Sequence, residues 1–222
     1  MKTAIVRFQR YLDGQIAFGA RIALVLMVVP LALAIVLPLW NIHMVAPQYP
    51  EGLDLEIWTW KVEGGEAHHI KEINTLNHYI GMSAIDEVLL KDLDWIPFTI
   101  GLLGILLLRV AVIGNLRMLV DVAVISAYLS GFLMFRFWYH LYHLGHDLDP
   151  AAPVNVEPFM PAYFGTKQIA NFTVTSLPKA GAYAMMFAVA GVLVITVLHL
   201  WKGRRESARA DRPASAAGAA QA

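Results

Sequence analysis

The sequence contains no cysteine, which excludes disulfides, thiolate metal sites and cysteine nucleophiles. It is also poor in charge: 15% of its 222 residues are charged, whereas a soluble domain has about a quarter. The formal net charge is zero, so the overall balance gives no indication of a nucleic-acid partner. The residues that remain as soft or borderline metal ligands are nine methionines and eight histidines.

Motifs for catalysis are missing as well. No acidic residue lies in the middle of the long apolar runs, which argues against a proton pump or a charge-coupled carrier. The sequence has no phosphate-binding glycine loop, no serine-nucleophile motif and no paired catalytic carboxylates. We therefore expect any chemistry to be coordination rather than turnover, and favour a protein that is not an enzyme.

Four apolar runs dominate what is present, since 58% of the residues are hydrophobic. Each run reaches the ~20 residues needed to cross a bilayer. The runs cover about 22–40, 95–113, 118–139 (extending as far as 145) and 180–201. They predict an all-α membrane protein with four transmembrane helices and two structured outer loops, 41–94 and 140–179. The membrane domain would cover 1–203, and the small, polar segment 204–222 would form a disordered cytoplasmic tail.

Basic residues cluster at one side of these four predicted spans. They are Lys2, Arg7, Arg10 and Arg21 before the first span, Arg109 and Arg117 around the turn between the second and third spans, and Lys202, Arg204, Arg205, Arg209 and Arg212 after the fourth. The positive-inside rule places this side in the cytoplasm. The sequence therefore predicts a multi-pass protein of the cell inner membrane with both termini cytoplasmic and both long loops outside.

The two outer loops differ in character. In the first, "LDLEIWTWKVEG" alternates as a short strand does and ends at Gly64-Gly65. The stretch 68–90 then reads as mostly helical, with a break at Gly81. The prolines of the second loop forbid a long helix and favour an extended path.

The stretch "WYHLYHLGHDLDP" follows the third run directly. On a continuing helix, His140, His143 and Asp147 share one face while His146 points about 120° away. Such a set can hold a metal, or a histidine pair oriented by the aspartate. The alternative is a group of histidines and tyrosines that prefer the membrane interface, with Arg136 paired to Asp147 or to a loop carboxylate.

A second candidate lies in "NTLNHYIGM", where His78 and Met82 are four residues apart and would be helical neighbours. Imidazole and thioether together suit copper, especially Cu(I). His43 and Met44 in the first loop, with Met160 in the second, are predicted to complete the site. The alternative is that the methionine packs in a core while the histidine caps a turn. His68-His69 is weaker, since a lone pair in a loop is poor support for a metal site.

The segments "WNIHMVAPQYPEGLDLEIW", "EINTLNHYIGM" and "WIPF" carry a resemblance. Residues 40–98 resemble a group of small bacterial integral membrane proteins with an "APQYPEGL" and an "INxLNHYIGM" signature. That group accompanies copper-enzyme systems, nitrous-oxide reductase maturation among them, so the resemblance implies a copper context and no reaction. The matching positions are His43, Met44, Tyr49, Pro50, Glu51, Gly52, Asn74, Asn77, His78, Tyr79 and Met82.

The leading hypothesis is an outward-facing site that binds copper or assists the assembly or electron supply of a periplasmic copper enzyme. Its predicted metal ligands are His78, Met82, His43, Met44, His140, His143 and Asp147. Two alternatives stay open: a structural subunit of a larger membrane complex, and a haem- or quinone-binding subunit. A membrane-bound monooxygenase is more distant. The expected partners are the lipid bilayer and a protein in the membrane or periplasm, with no nucleic acid.

Overall fold

A computed structural model describes residues 6, 9, 11–86, 93–169 and 171–210, with side chains as far as residue 205. This part of the chain contains five helices and five strands. In chain order they are α1 (Phe18–Val36), β1 (Trp40–Ala46), β2 (Tyr49–Ile57), β3 (Val62–Gly64), α2 (His69–Tyr79), α3 (Ile96–Ile113), α4 (Leu116–His146), β4 (Gly165–Ile169), β5 (Phe172–Pro178) and α5 (Ala180–Ala210).

Four of the helices in the described residues are long and apolar enough to cross a membrane: α1, α3, α4 and the first 26 residues of α5. This finding confirms the prediction of a multi-pass protein in a lipid environment. The first helix ends at Val36 rather than at the predicted residue 40, because Trp40 already belongs to a strand. The turn between α3 and α4 is closed by Asn115, whose side chain accepts a hydrogen bond from the backbone N–H of Arg117.

The last helix continues to Ala210, into the segment 204–222 that is predicted from the sequence to be a disordered tail. Its charged end includes Arg205, whose guanidinium lies 3.6 Å from the centre of the Trp201 ring. Residues 211–222 lie outside the described residues, as do Lys2, Arg7 and Arg10 at the other terminus and the stretch 87–92 of the first loop.

The two outer loops join in one antiparallel sheet, so the prediction of an all-α fold is wrong. The strand order is β3-β2-β1-β5-β4, with every neighbouring pair antiparallel. The central pair aligns Trp40 with Pro178 and Val45 with Thr173, which joins one loop to the other. Local periodicity cannot reveal a pairing between segments so far apart in the chain.

The single strand predicted over 53–64 is instead a hairpin, in which β2 ends at Ile57, a turn follows, and β3 covers Val62–Gly64. The predicted end at Gly64 is confirmed. The break predicted at Gly81 is also confirmed, since α2 ends at Tyr79 and Gly81 has a φ of +80°. A side chain is also excluded at Gly81 by space, because an added Cβ would lie 2.8 Å from the backbone oxygen of Asp149. The end of α2 is thereby fixed against the chain that follows α4.

The sheet is attached directly to the membrane helices. Helix α1 leads into β1 and β5 leads into α5, so the two central strands continue two spans. Trp40 contributes to this junction: its Nε1–H donates to Ser176 Oγ over 2.7 Å, and its ring lies 5.1 Å from the ring of Phe137 on α4. The position of the sheet relative to the helices is therefore fixed by buried contacts.

Side chains alternate between the two faces of the sheet. One face, here called the inner face, packs on α2 and the end of α4; its buried residues are Ile42, Leu53, Leu55, Ile57 and Val174. The other face, here called the outer face, is polar; it includes Asn41, His43, Asp54, Glu56 and Thr175. Consecutive residues of β1, such as His43 and Met44, therefore point to opposite sides of the sheet.

Candidate metal site on the sheet

His43 and Asp54 form a pair on the outer face. The strand register places them directly opposite each other on β1 and β2. His43 Nδ1 lies 2.9 Å from Asp54 Oδ1, and Asn41 Nδ2–H donates to the same oxygen over 3.1 Å. Directly opposed residues on one face of a sheet are close enough for such bonds.

Gly52 determines where the His43 ring lies. A Cβ added to Gly52 would stand 2.3 Å from His43 Cε1 and 2.6 Å from Nε2, so the ring rests on the bare backbone of β2. Gly52 also has a φ of +85°, a conformation that residues with a side chain rarely adopt. The ring is therefore held from below by the strand and from the side by the aspartate.

The hydrogen bonds of His43 determine which nitrogen is open. Because a carboxylate only accepts, Nδ1 carries the proton and donates to Asp54. In the neutral ring Nε2 then has a lone pair, and it makes no hydrogen bond to the described residues. Metal-binding histidines are usually oriented in this way, by a carboxylate, a backbone carbonyl or a water.

Asp54 is held in its charged form. Burial raises the pKa of its carboxyl group, but hydrogen bonds from Asn41 and His43, with the charges of His43 and His69, outweigh burial. The pKa of Asp54 therefore lies below its usual value. The pair can keep its donor–acceptor arrangement at neutral pH.

A second group of possible ligands lies beside this pair. Ligand atoms of Glu66, His68 and His69 all lie within 4.8 Å of one another, which no other set of three or more His, Asp or Glu residues in the described ranges does. His69 Nδ1 accepts the backbone N–H of Asp54 over 3.0 Å, which links the group to the pair. We call these five residues, His43, Asp54, Glu66, His68 and His69, the sheet-edge cluster.

The members of this second group are not equally available. Glu66 and His68 are exposed, whereas His69 is 7% exposed and already uses Nδ1 as an acceptor. In the neutral ring His69 Nε2 then carries the proton, so binding an ion at His69 costs a hydrogen bond or releases a proton. His68 is the more open of the two adjacent imidazoles. The sequence signal for this group is an acid and two histidines directly after Gly64-Gly65, although a histidine pair in a loop is by itself weak support for a metal site.

The predicted set on α4 is partly assembled. His143 Nδ1 lies 2.8 Å from Asp147 Oδ2, one helical turn away, so the aspartate orients this histidine. His140 Nε2 instead accepts from Arg136 Nη2 over 3.2 Å. His146 turns aside, as its spacing predicted: it donates to the Tyr142 carbonyl over 2.8 Å and stacks on the Tyr142 ring.

His78 and Met82 are not brought together. The helix ends at Tyr79, so the four-residue spacing does not make them helical neighbours. His78 is exposed in a shallow surface depression, whereas Met82 lines a buried apolar cavity under the sheet. Met44 lines the same cavity, on the opposite face from His43. The sheet therefore separates His43 from the thioethers of Met44 and Met82, and His78 lies on the exposed side of α2.

No family model matches the chain, and no curated protein matches its sequence.

Proposed function

We propose that this protein binds a copper ion at the sheet-edge cluster and acts as a membrane-embedded accessory to a periplasmic copper enzyme, without turnover of its own. The observation that carries the proposal is the arrangement of His43. Asp54 fixes its Nδ1, and Nε2 is left without a bond in the described residues. This is the state in which an imidazole binds a metal ion.

The choice of copper rests on the donors and on the resemblance. Imidazole and carboxylate suit copper, and they suit zinc and nickel as well. The segment 40–98, which resembles proteins that accompany copper-enzyme systems, has both His43 and Gly52 among its matching positions. These two residues together define the position of the ring. The proposed site therefore coincides with the part of the chain from which the copper context comes.

An accessory role agrees with the openness of the site. The side chains of His43 and Asp54 are 35% and 37% exposed. A site of this kind leaves coordination positions for ligands from a second protein. We infer a site that passes copper to a partner or receives it from one.

The same proposal sets the orientation. Arg109, Arg117 and Lys202 lie at the ends of the helices away from the sheet. By the positive-inside rule that end faces the cytoplasm, and the sheet faces the periplasm of the inner membrane. Because the chain has no cysteine, Thr173→Cys and Lys202→Cys each carry a single thiol. A membrane-impermeant maleimide should label the first in intact spheroplasts and the second only after lysis; the reverse pattern contradicts this orientation.

Copper content tests the binding proposal. The wild-type protein, purified after growth with copper, should retain up to one equivalent against dialysis, measured by elemental analysis. The His43→Ala variant should lose it. His143→Ala is a matched control, since His143 is 37% exposed against 35% for His43 and also bonds a carboxylate. Equal copper in wild type and His43→Ala, or none in the wild type, contradicts the proposal.

A second candidate function is favoured by α4. Exposed aromatic rings follow one another along this helix, from its middle to its end. These rings are Tyr128, Phe132, Phe135, Trp138 and Tyr142. A structural subunit would present such a face to a partner helix. Purification in a mild detergent should then yield a stoichiometric partner that is lost in Phe135→Ala and retained in His43→Ala.

A further inference from the structure

A cavity lies between the inner face of the sheet, helix α2 and the end of α4. Its volume is about 70 Å³. Ile42, Met44, Met82 and Leu144 are among the apolar side chains that line it. Since about 10–15 Å³ is enough for one water-sized group, the cavity has room for roughly five to seven such groups.

One polar side chain interrupts this lining. Asn77 is 4% exposed, lines the cavity, and its Nδ2 has no hydrogen-bond partner. A buried donor without a partner destabilises a fold, so such groups are rare. Asn74, one turn earlier on α2, is fully used: its Oδ1 accepts the N–H of Ile85 over 2.9 Å and its Nδ2 donates to Asp86 over 2.7 Å.

Water is a poor occupant of this cavity. An ordered water needs two to four polar partners, and the side chains that line this cavity offer only the amide of Asn77. An occupant that fits must combine an apolar body with one hydrogen-bond acceptor. A carbonyl group on a small ring or a short chain has this composition.

The cavity also lies near the membrane surface. Helix α4 has 31 residues, and at 1.5 Å per residue it is about 46 Å long, whereas the hydrocarbon core is about 30 Å thick. Leu141 and Leu144, which line the cavity, lie in its last two turns. The part of α4 that lines the cavity therefore extends beyond the hydrocarbon core, on the side of the headgroups and their carbonyl groups.

We propose that this cavity binds the carbonyl end of a small apolar molecule from the membrane, with Asn77 Nδ2–H donating to the carbonyl oxygen. Met44 and Met82 contact the apolar body, because flexible thioether side chains adapt to irregular ligands. Two sources share this chemistry, the carbonyl edge of a quinone ring and the ester of a lipid chain. Only that end of either molecule enters, because the cavity has room for only a few groups. The site is separate from the sheet-edge cluster and does not depend on copper.

The test uses the purified full chain in dodecyl maltoside, with decylubiquinone and methyl decanoate as probes in calorimetric titrations. Wild type should bind at least one probe. Asn77→Leu, close in shape but without the donor, should bind it about tenfold more weakly. Ala162→Phe, at a lining residue that is 4% exposed, should abolish binding by filling the cavity. His78→Ala, an exposed change on the same helix, should bind as wild type does.

The outcomes separate the sources and can overturn the proposal. Binding of decylubiquinone alone identifies a quinone ring, and binding of methyl decanoate alone identifies a lipid ester. Without a probe, Asn77→Leu should unfold at the same temperature as wild type or higher, because it removes an unpaired donor. The proposal is overturned if neither probe binds to wild type. It is equally overturned if Asn77→Leu or a folded Ala162→Phe binds with wild-type affinity.

Discussion

Two histidine–aspartate pairs of this protein form the same hydrogen bond but lie in different structural surroundings. His43 lies 2.9 Å from Asp54 and His143 lies 2.8 Å from Asp147, in both cases through Nδ1. The first pair joins two strands, and its ring rests on Gly52. The second lies within one turn at the end of a helix, where the Asp147 side chain is 71% exposed, against 37% for Asp54.

This difference separates a local contact from a preorganised one. The helical pair forms wherever residues four apart are helical, and an exposed pair of this kind contributes little to stability. The strand pair exists only after two segments have paired in the right register. Its imidazole is fixed before an ion arrives, so less ordering is left to occur on binding. We expect changes at the strand pair to have the larger effects.

The largest expected effect comes from Gly52→Ala. The new Cβ would overlap the His43 ring in a backbone conformation that alanine rarely adopts, so both the fold and the ring must shift. We expect a loss of about 1–3 kcal/mol in the free energy of unfolding and loss of bound copper. Gly165→Ala is the matched control, since its φ is +82° and nothing lies within 4 Å. Thermal unfolding and elemental analysis measure both, and full copper retention in Gly52→Ala would mean that the ring position is unimportant.

The next effect comes from Asp54→Asn. An amide in place of the carboxylate no longer holds His43 in the tautomer with Nε2 open. Removing such an orienting partner typically weakens metal binding about 10–100-fold. Chelator competition should show this loss in Asp54→Asn, with a change of less than about twofold in Asp147→Asn. Equal losses in the two variants would erase the distinction between the pairs.

Acid should affect the strand pair in a defined direction. The pKa of Asp54 is lowered in the folded protein, so its contribution to stability is complete above the unfolded value of about 3.9. That contribution is lost as the pH falls through the lower folded value. Melting temperatures between pH 6 and pH 3 should therefore fall less steeply for Asp54→Asn than for wild type. Parallel curves of melting temperature against pH would show that the neighbours of Asp54 do not stabilise its charged form in the folded protein.

The smallest effect is expected for Asp147→Asn in the absence of metal. An exposed pair one helical turn apart contributes about 0.3–0.5 kcal/mol. Thermal unfolding should change by less than one or two degrees, and high salt should reduce even that difference. A decrease in unfolding temperature as large as that of Gly52→Ala would show that the Asp147 pair is important for the stability of the fold.

The features that could be predicted from the sequence are the local ones, as the comparison of the two pairs would suggest. The spans, the break at Gly81 and the contact between His143 and Asp147 depend on residues close together in the chain. Apolar run length, a glycine conformation and the 100° helical step are enough for these. The strand end at Gly64 was predicted for the same reason, but the turn that divides the predicted strand into β2 and β3 was not.

The features that could not be predicted from the sequence depend on strand pairing between segments far apart in the chain. The alternating "TVTS" of β5 is a strand signal, but its partner β1 lies in the other loop. Without the register, His43 could not be assigned to Asp54, nor Met44 to the opposite face. The link between Asp54 and His69 arises because α2 covers the edge of β2 where β3 has ended. None of these positions follows from spacing.

Pulsed electron paramagnetic resonance on protein loaded with one equivalent of Cu(II) tests the central claim most directly, since it detects the remote nitrogen of a coordinated imidazole. We predict imidazole modulation in wild type and in His143→Ala, and its loss or marked reduction in His43→Ala. Modulation that persists unchanged in His43→Ala and disappears in His143→Ala would contradict the account and move the metal site to α4.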